Sequence, residues 1–447
     1  MDNRLTGIGA RTGGFFVLLS CASLVVHTAV GGDTTLRFRA AGLRTIEGRH
    51  LILVTDLPEN PNVDALPGWL DQALPQWCSH LEIATERAAN WHVTAYLMQD
   101  KGRFESLDLL PNELPPFDHG YFLDRRIWMF EQPSDYYRRH LLLHEAVHAL
   151  MNNLLGGCGP PWYMEGIAEL LATHKIADGK LLVGYFPRDR EEVPYWGRIK
   201  IVRDDVDSGH SRSVDEVLAL LPGRDRTNTG YGWCWALAAF LDGHPRFHQR
   251  FRALAPQANQ DRFDDRFRAA YSSDWSKLNL EWRLFIEELD YGYDLTRAAL
   301  EWTSRKTPSN DAPDAAMIDA GRGWQSAGFR LEAGVAYVLR ASGRYELHPG
   351  PPPWICEPQG ISIHYYRNRP LGELLAAILP DDDTAAAPER SFLRPVVVGR
   401  EIRIRPSVSG IVYLKINESP AKLSDNRGQL TVEISRQQRP RSQHELD

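Results

Sequence analysis

A chain of 447 residues with 43% hydrophobic content can bury more than one core, and two or three domains are expected from that length. Charges of both signs are mixed along it, and a net charge of −7 gives no basic stripe for a nucleic acid partner. No fixed-period repeat or long low-complexity tract points to a solenoid or a fibre.

Arg4 and Arg11 precede an apolar run from Phe15 to Val26, and small residues follow around Ala29-Val30-Gly31. This is the layout of an export signal over residues 1–31. The run is shorter than the roughly 20 apolar residues a membrane span needs, and no other stretch reads as transmembrane. The expected location is therefore periplasmic, cell-surface or extracellular. Leu18-Leu19-Ser20-Cys21 is similar to a bacterial lipoprotein box, which makes Cys21 a candidate lipid anchor. Removing the signal leaves Cys78, Cys158, Cys234 and Cys356 in an oxidising compartment. A Cys158–Cys234 disulfide and isolated buried thiols are both open.

Residues 35–135 read as a small α/β lobe, with strands over His50 to Thr55, His92 to Met98 and Tyr121 to Phe130 and a helical region from Trp69 to Ala89. Residues 136–303 read as a helical lobe. Its first helix carries Leu143, Val147, Leu150 and Leu154 at helical spacing and stops at Gly156-Gly157. On that helix His144-Glu145-Ala146-Val147-His148 places two imidazoles one turn apart on one face, able to grip one zinc ion, with Glu145 beside the metal's water. A catalytic zinc takes three protein ligands and keeps one position open. Pro160-Pro161 suits the start of a second helix, where Glu165 and Glu169 lie four apart on one face. Glu165 is the candidate third ligand. Glu169, one turn on, can accept the free ring N–H of a ligand histidine. With zinc bound, Glu145 is the expected general base, and the tetrahedral oxyanion needs a neutral donor: Tyr231, His174 or His210. Further helices are expected near Val214 to Leu221, Gly232 to Asp242, Phe247 to Leu254 and Trp275 to Leu289.

These residues resemble the gluzincin metallopeptidases, and most of all their aminopeptidase-like branch and the exported bacterial peptidase MA-like proteins. The family's Asn-Glu-Gly-Phe-Ala-like segment has its counterpart in Met164-Glu165-Gly166-Ile167-Ala168, after Trp162-Tyr163. Tyr231-Gly232-Trp233-Cys234-Trp235-Ala236-Leu237 resembles the family's Tyr-Glu-Lys-Gly-x-Ala-Leu helix, whose tyrosine donates to the oxyanion; by resemblance Tyr231 takes that role. The aminopeptidases' Gly-x-Met-Glu-Asn motif is absent, its nearest segment reading His119-Gly120-Tyr121-Phe122-Leu123-Asp124, which argues against dedicated aminopeptidase activity.

Residues 304–321 shift to Pro, Ser, Asn, Asp and Gly and read as a linker. Over 322–436, alternating segments at Tyr337 to Ala341, Ile361 to Tyr365, Glu401 to Arg405 and Leu430 to Ile434 describe a β-sandwich, and 437–447 form a polar tail. Gly323-Trp324-Gln325-Ser326-Ala327-Gly328 and Ser409 to Asn417, with Asp425-Asn426-Arg427-Gly428, resemble the bacterial galactophilic lectin and related galactose-binding-like sandwiches. That resemblance implies calcium and a carbohydrate held at Asp425 and Asn426, whereas the residues alone read as an Asp-Asn turn between strands.

The sequence therefore predicts an α+β protein: a zincin-like unit of a small mixed-sheet lobe plus a helical lobe, followed by a β-sandwich. The expected function is exported zinc-dependent hydrolysis of a peptide or protein substrate. The alternative is a non-enzymatic carbohydrate- or surface-binding protein on a zincin scaffold.

Overall fold

The structure is a computed structural model that describes residues 32–221, 228–302, 314–381 and 388–437. The expected export signal over 1–31, Cys21 and almost all of the polar tail lie outside the described residues. The chain is mixed α and β, with a sheet and helices first and a sheet-rich region last. Among the described residues no helix is long and apolar enough to cross a membrane.

The first sheet has the order β1-β2-β3-β5-β4, from Arg44–Glu47 (β1), Leu51–Thr55 (β2), Val93–Met98 (β3), Gly120–Leu123 (β4) and Arg126–Phe130 (β5). β2, β3 and β5 run parallel, and β1 and β4 are antiparallel edges. The stretch from Tyr121 to Phe130, expected as one strand, is instead the β4–β5 hairpin. Asp124 turns the chain with φ 55, a left-handed conformation that aspartate tolerates, and Tyr121 then pairs with Trp128. Leu66–His80 (α1) covers the sheet, and its Leu70, Leu74 and Trp77 enter a core shared with the helical lobe.

That lobe is built from Asp135–Leu150 (α2), Pro161–Ala172 (α3), Arg198–Asp207 (α4), Thr229–Gly243 (α5) and Trp275–Glu288 (α6). A short hairpin of His174–Ala177 (β6) and Lys180–Val183 (β7), not foreseen from the sequence, joins α3 to the segment before α4. The helices expected at Val214 and Phe247 are present but shorter, as Val214–Leu218 and His248–Arg252.

The last region is a sandwich of two four-stranded antiparallel sheets. One has the order β13-β10-β15-β8 and the other β12-β11-β14-β9, from Asp314–Asp319 (β8), Gln325–Leu331 (β9), Tyr337–Ser342 (β10), Leu374–Pro380 (β11), Val396–Val397 (β12), Glu401–Ile404 (β13), Gly410–Ile416 (β14) and Gln429–Arg436 (β15). Ile318, Leu339 and Val432 from one sheet meet Phe329, Ala376 and Leu414 from the other. β8 lies inside the stretch expected as linker: Ala316 and Ile318 alternate inward and pair it along β15, so the sandwich begins earlier than its composition indicates. The sandwich docks on α6, where Leu280 and Leu284 pack with Leu375, Ile411 and Tyr413 and the Lys415 ammonium reaches Glu288 at 3.0 Å.

Candidate metal centre

Ser134 starts α2 by accepting the Tyr137 amide at 3.0 Å. Along the buried face of this helix His140, His144 and His148 recur every four residues. The helix runs into a π turn at Met151–Leu155 and ends at Gly156, whose φ of 80 only glycine adopts cheaply. Pro161 then opens α3. The close approach of α5 to α3 depends on Gly166, since a Cβ there would come 2.8 Å from the Cys234 carbonyl oxygen.

The loop returns Glu165 to the two histidines. His144 Nε2 lies 3.0 Å from His148 Nε2, and Glu165 Oε2 lies 3.2 and 3.4 Å from those two nitrogens. A tetrahedral zinc with bonds of about 2.0–2.1 Å sets its ligands roughly 3.3 Å apart, so this buried triangle has the size and donor set that zinc requires. Glu165 Oε2 is buried with no partner but those two ring nitrogens. Burial works to lower His144, but the hydrogen bond to Glu165 and the charges of Glu169 and Glu165 hold it up at about 9. Burial also opposes the charge on His148, yet Glu165 and Cys158 keep it at about 9. For Glu165, burial is outweighed by His148 and His144, which bring it to about 2. At neutral pH both imidazoles therefore hold a proton beside the ionised Glu165, and a metal would displace those protons.

Glu169 lies behind His144, its Oε1 at 3.6 Å from Nδ1, which is longer than the hydrogen bond expected from the sequence. Two neighbours of Glu169 escape sequence reading. His140 Nε2 is 3.2 Å from Glu169 Oε2, and Arg198 donates to both oxygens, Nε to Oε2 at 3.0 Å and Nη2 to Oε1 at 2.8 Å. His140, His144 and Glu169 are close enough to hold an ion by themselves, but the guanidinium already bound to Glu169 opposes a second cation there. Burial alone would raise Glu169; Arg198 and His140 hold it well below the usual carboxylate range. His140 has a sequence signal, being one further four-residue step before His144. Arg198 has none, since it arrives on a different helix.

A cleft of about 420 Å³ opens over the histidines, and Glu145, Gly120, Tyr121, Tyr231 and Arg198 line it. Gly120 is required, because a Cβ would lie 2.8 Å from Glu145 Oε1 and 3.1 Å from its Cγ. Burial raises the Glu145 carboxyl, and His144 and His148 pull the other way. Tyr231, in the first turn of α5, has its ring 6.4 Å from that of His144, with the Arg198 guanidinium 5.8 Å over its face. Burial and then the charges of Glu165, Glu169 and Glu145 raise its hydroxyl, so it is a neutral donor. The two alternative donors lie elsewhere. His174 accepts from Arg139 Nε at 2.7 Å, and its Nδ1 lies 2.7 Å from the Ala172 carbonyl; exposed His210 lies 3.6 Å from Asp205.

Cys158 and Cys234 are not bonded to each other, and Cys78 and Cys356 are free as well. The Cys158 sulfur lies 3.5 Å from the His148 carbonyl oxygen, while Cys234 is buried within α5. In the sandwich, Asn426 donates to the Ala320 carbonyl at 2.9 Å and Asp425 Oδ2 is 3.6 Å from His348 Nδ1. Asp425 Oδ1 and Asn426 Oδ1 are buried with no hydrogen-bond partner. Burial and then the charge of Asp425 push nearby Glu418 up to about 7.

No family model matches the chain, and no curated protein matches it. Among the solved structures that are similar in part are the following three. The N-terminal domain of EclA, a PllA-like lectin, is 20% identical with a TM-score of 0.22 over 28% of this chain and 95% of that one. PliG of Aeromonas hydrophila, a periplasmic inhibitor of g-type lysozyme, is 10% identical with a TM-score of 0.18 over 31% and 100% of the two chains. IMPa of Pseudomonas aeruginosa, in complex with an O-glycopeptide, is 11% identical with a TM-score of 0.17 over 56% of this chain and 25% of that one. The gluzincin likeness is an expectation from the motif residues alone.

Proposed function

We propose that the protein is an exported zinc-dependent hydrolase of peptide bonds. The observation that carries this reading is the buried triangle of His144 Nε2, His148 Nε2 and Glu165 Oε2, with edges of 3.0, 3.2 and 3.4 Å, beneath a cleft that also holds an acid-base carboxylate. His144, His148 and Glu165 would hold the ion, which when bound supplies Lewis acidity and makes water a nucleophile near neutral pH. Glu145 then takes a proton from the attacking water and returns it to the leaving amine. Its burial suits a group that must accept and release a proton in one cycle. Tyr231 donates its hydroxyl proton in a hydrogen bond to the developing oxyanion. β4 favours an extended chain as substrate: it is an edge strand with one unpaired side, and its Gly120 and Tyr121 border the cleft. The Arg-led apolar run at the amino terminus supports export.

The test pairs the zinc content of the purified protein with hydrolysis of an unbiased peptide library, for the wild type and Glu145→Gln. One zinc per chain and cleavage lost in a variant that keeps its metal is the expected result. Zinc without any cleavage by the wild type would favour the binding-protein alternative, and no zinc would remove the proposal. A second, separate reading concerns calcium in the sandwich, supported by the two unpartnered buried oxygens of Asp425 and Asn426. Calcium that raises the unfolding temperature of the wild type but not of Asp425→Asn would support it.

A further inference from the structure

The sandwich is closed by its two four-stranded sheets on two faces only. β12 is the last strand of one sheet and β13 the last of the other, so the flank between these edges is open. A groove of about 730 Å³ occupies that flank, within the range of small-ligand pockets. Its floor is core material. Ala376 and Val412 are fully buried members of the sandwich core and also line the groove, and Ile378, Ile402 and Ile404 pack against that core from its walls.

The rim has one sign of charge. Arg390, Arg394, Arg403 and Arg405 line the groove, and among the described residues no carboxylate does. Among the described residues no carboxylate pairs with any of the four. Other arginines of the sandwich do have carboxylate partners, as in Arg330–Asp381, Arg340–Glu401, Arg400–Glu357 and Arg436–Glu332. Four uncompensated cations around an apolar floor, in a chain of net charge −7, select a ligand that is negative at one end and apolar along its body. A peptide added as a strand fits less well, because the two edges, β12 and β13, are only two and four residues long and offer little backbone to pair with.

We propose that this flank binds an anionic amphiphile, with its apolar chain laid between the sheet edges and its acid group on the arginines. The site stands apart from the metal centre and does not depend on the peptidase reading. The probe is dodecanoate below its micelle concentration, titrated calorimetrically into the full chain beside dodecanol. One dodecanoate per chain is expected, at least about tenfold tighter than dodecanol, since charge-assisted hydrogen bonds discriminate at that scale. Arg403→Glu with Arg405→Glu should weaken dodecanoate at least about tenfold while leaving the unfolding temperature unchanged, because both side chains are exposed and unpaired. Vesicles of phosphatidylglycerol and of phosphatidylcholine identify the source. Capture by the former alone assigns the ligand to a membrane, and binding of free dodecanoate without vesicle capture assigns a diffusible acid. The proposal is overturned if dodecanoate does not bind, if dodecanol binds equally, or if the double arginine variant keeps full affinity. Binding of a glutamate-rich peptide in place of dodecanoate would also overturn it, making the groove a protein-docking surface.

Discussion

Replacing Arg198 by methionine tests the charge network behind the metal triangle. Both partners are almost completely buried, and the fork donates at 3.0 and 2.8 Å to the two oxygens of Glu169. Removing the guanidinium leaves a buried carboxylate facing only His140 and His144, and breaking such a pair costs about 3–5 kcal/mol. The carboxylate would then take up a proton or draw on His144 Nδ1, 3.6 Å away, and either change disturbs the orientation of a metal ligand. Loss of a carboxylate behind a ligand histidine typically weakens metal binding about 10–100-fold, or about 1.4–2.7 kcal/mol. The assay measures two quantities: urea unfolding of the metal-free protein followed by tryptophan fluorescence, and zinc affinity by competition with a chromophoric chelator. Arg198→Met should lose stability and zinc affinity together. Glu169→Leu combined with Arg198→Met should recover much of the stability, because no buried carboxylate is left facing a lost guanidinium, yet should not recover the zinc affinity, because the carboxylate behind His144 is gone. A single variant less than about 1 kcal/mol less stable than the wild type, or a double variant with wild-type zinc affinity, would refute this account of the network.

Three other predictions follow from the same geometry. On the proposed mechanism, in which the Tyr231 hydroxyl donates to the oxyanion, Tyr231→Phe should lower kcat about 10²–10³-fold with KM and zinc content nearly unchanged; steady-state kinetics on a cleaved library peptide decide it. Gly120→Ala should displace the Glu145 carboxylate, which a Cβ would approach to 2.8 Å, so hydrolysis should fall at least about tenfold while zinc is retained. In the metal-free protein His144 and His148 titrate at about 9, above the ordinary 6.5. The stability they contribute is therefore fully present below pH 6.5 and lost as the pH rises through about 9. Zinc binds the deprotonated rings, so its apparent affinity should climb across the same window; a pH-independent affinity from chelator competition would contradict the cluster.

The parts of the site legible in the sequence are those set by helical periodicity. His144 and His148 share a face because of a four-residue spacing on one helix, and Glu165 and Glu169 do so on the next; glycines and prolines mark the ends of both. The two strands at Leu51 and Val93 were equally plain from their apolar runs. What tertiary contact alone decides stayed hidden. Asp124 divides an apparently continuous strand by adopting φ 55, and β8 sits in a polar stretch whose strand character comes from pairing with β15. Arg198 follows Glu169 by twenty-nine positions and a hairpin, and nothing in its local pattern points back to a metal centre.

Arg198 also explains how two identical residues on one helix face come to differ. Glu165 and Glu169 have the same spacing relation to the histidine helix as any i, i+4 pair. Glu165 meets both imidazole nitrogens through one oxygen, Oε2, and among the described residues no guanidinium or ammonium pairs with it, which leaves it suited to a ligand's place. Glu169 meets a guanidinium that occupies both of its oxygens, so its charge is already spent and it can only steer His144 from behind. The same guanidinium lies over the ring of Tyr231. On the proposed reading, one side chain from α4 thus separates ligand from supporting carboxylate and braces the oxyanion donor. If that is correct, Arg198→Lys, which keeps the charge but loses the planar fork, should retain more stability than Arg198→Met and still bind zinc less tightly than the wild type.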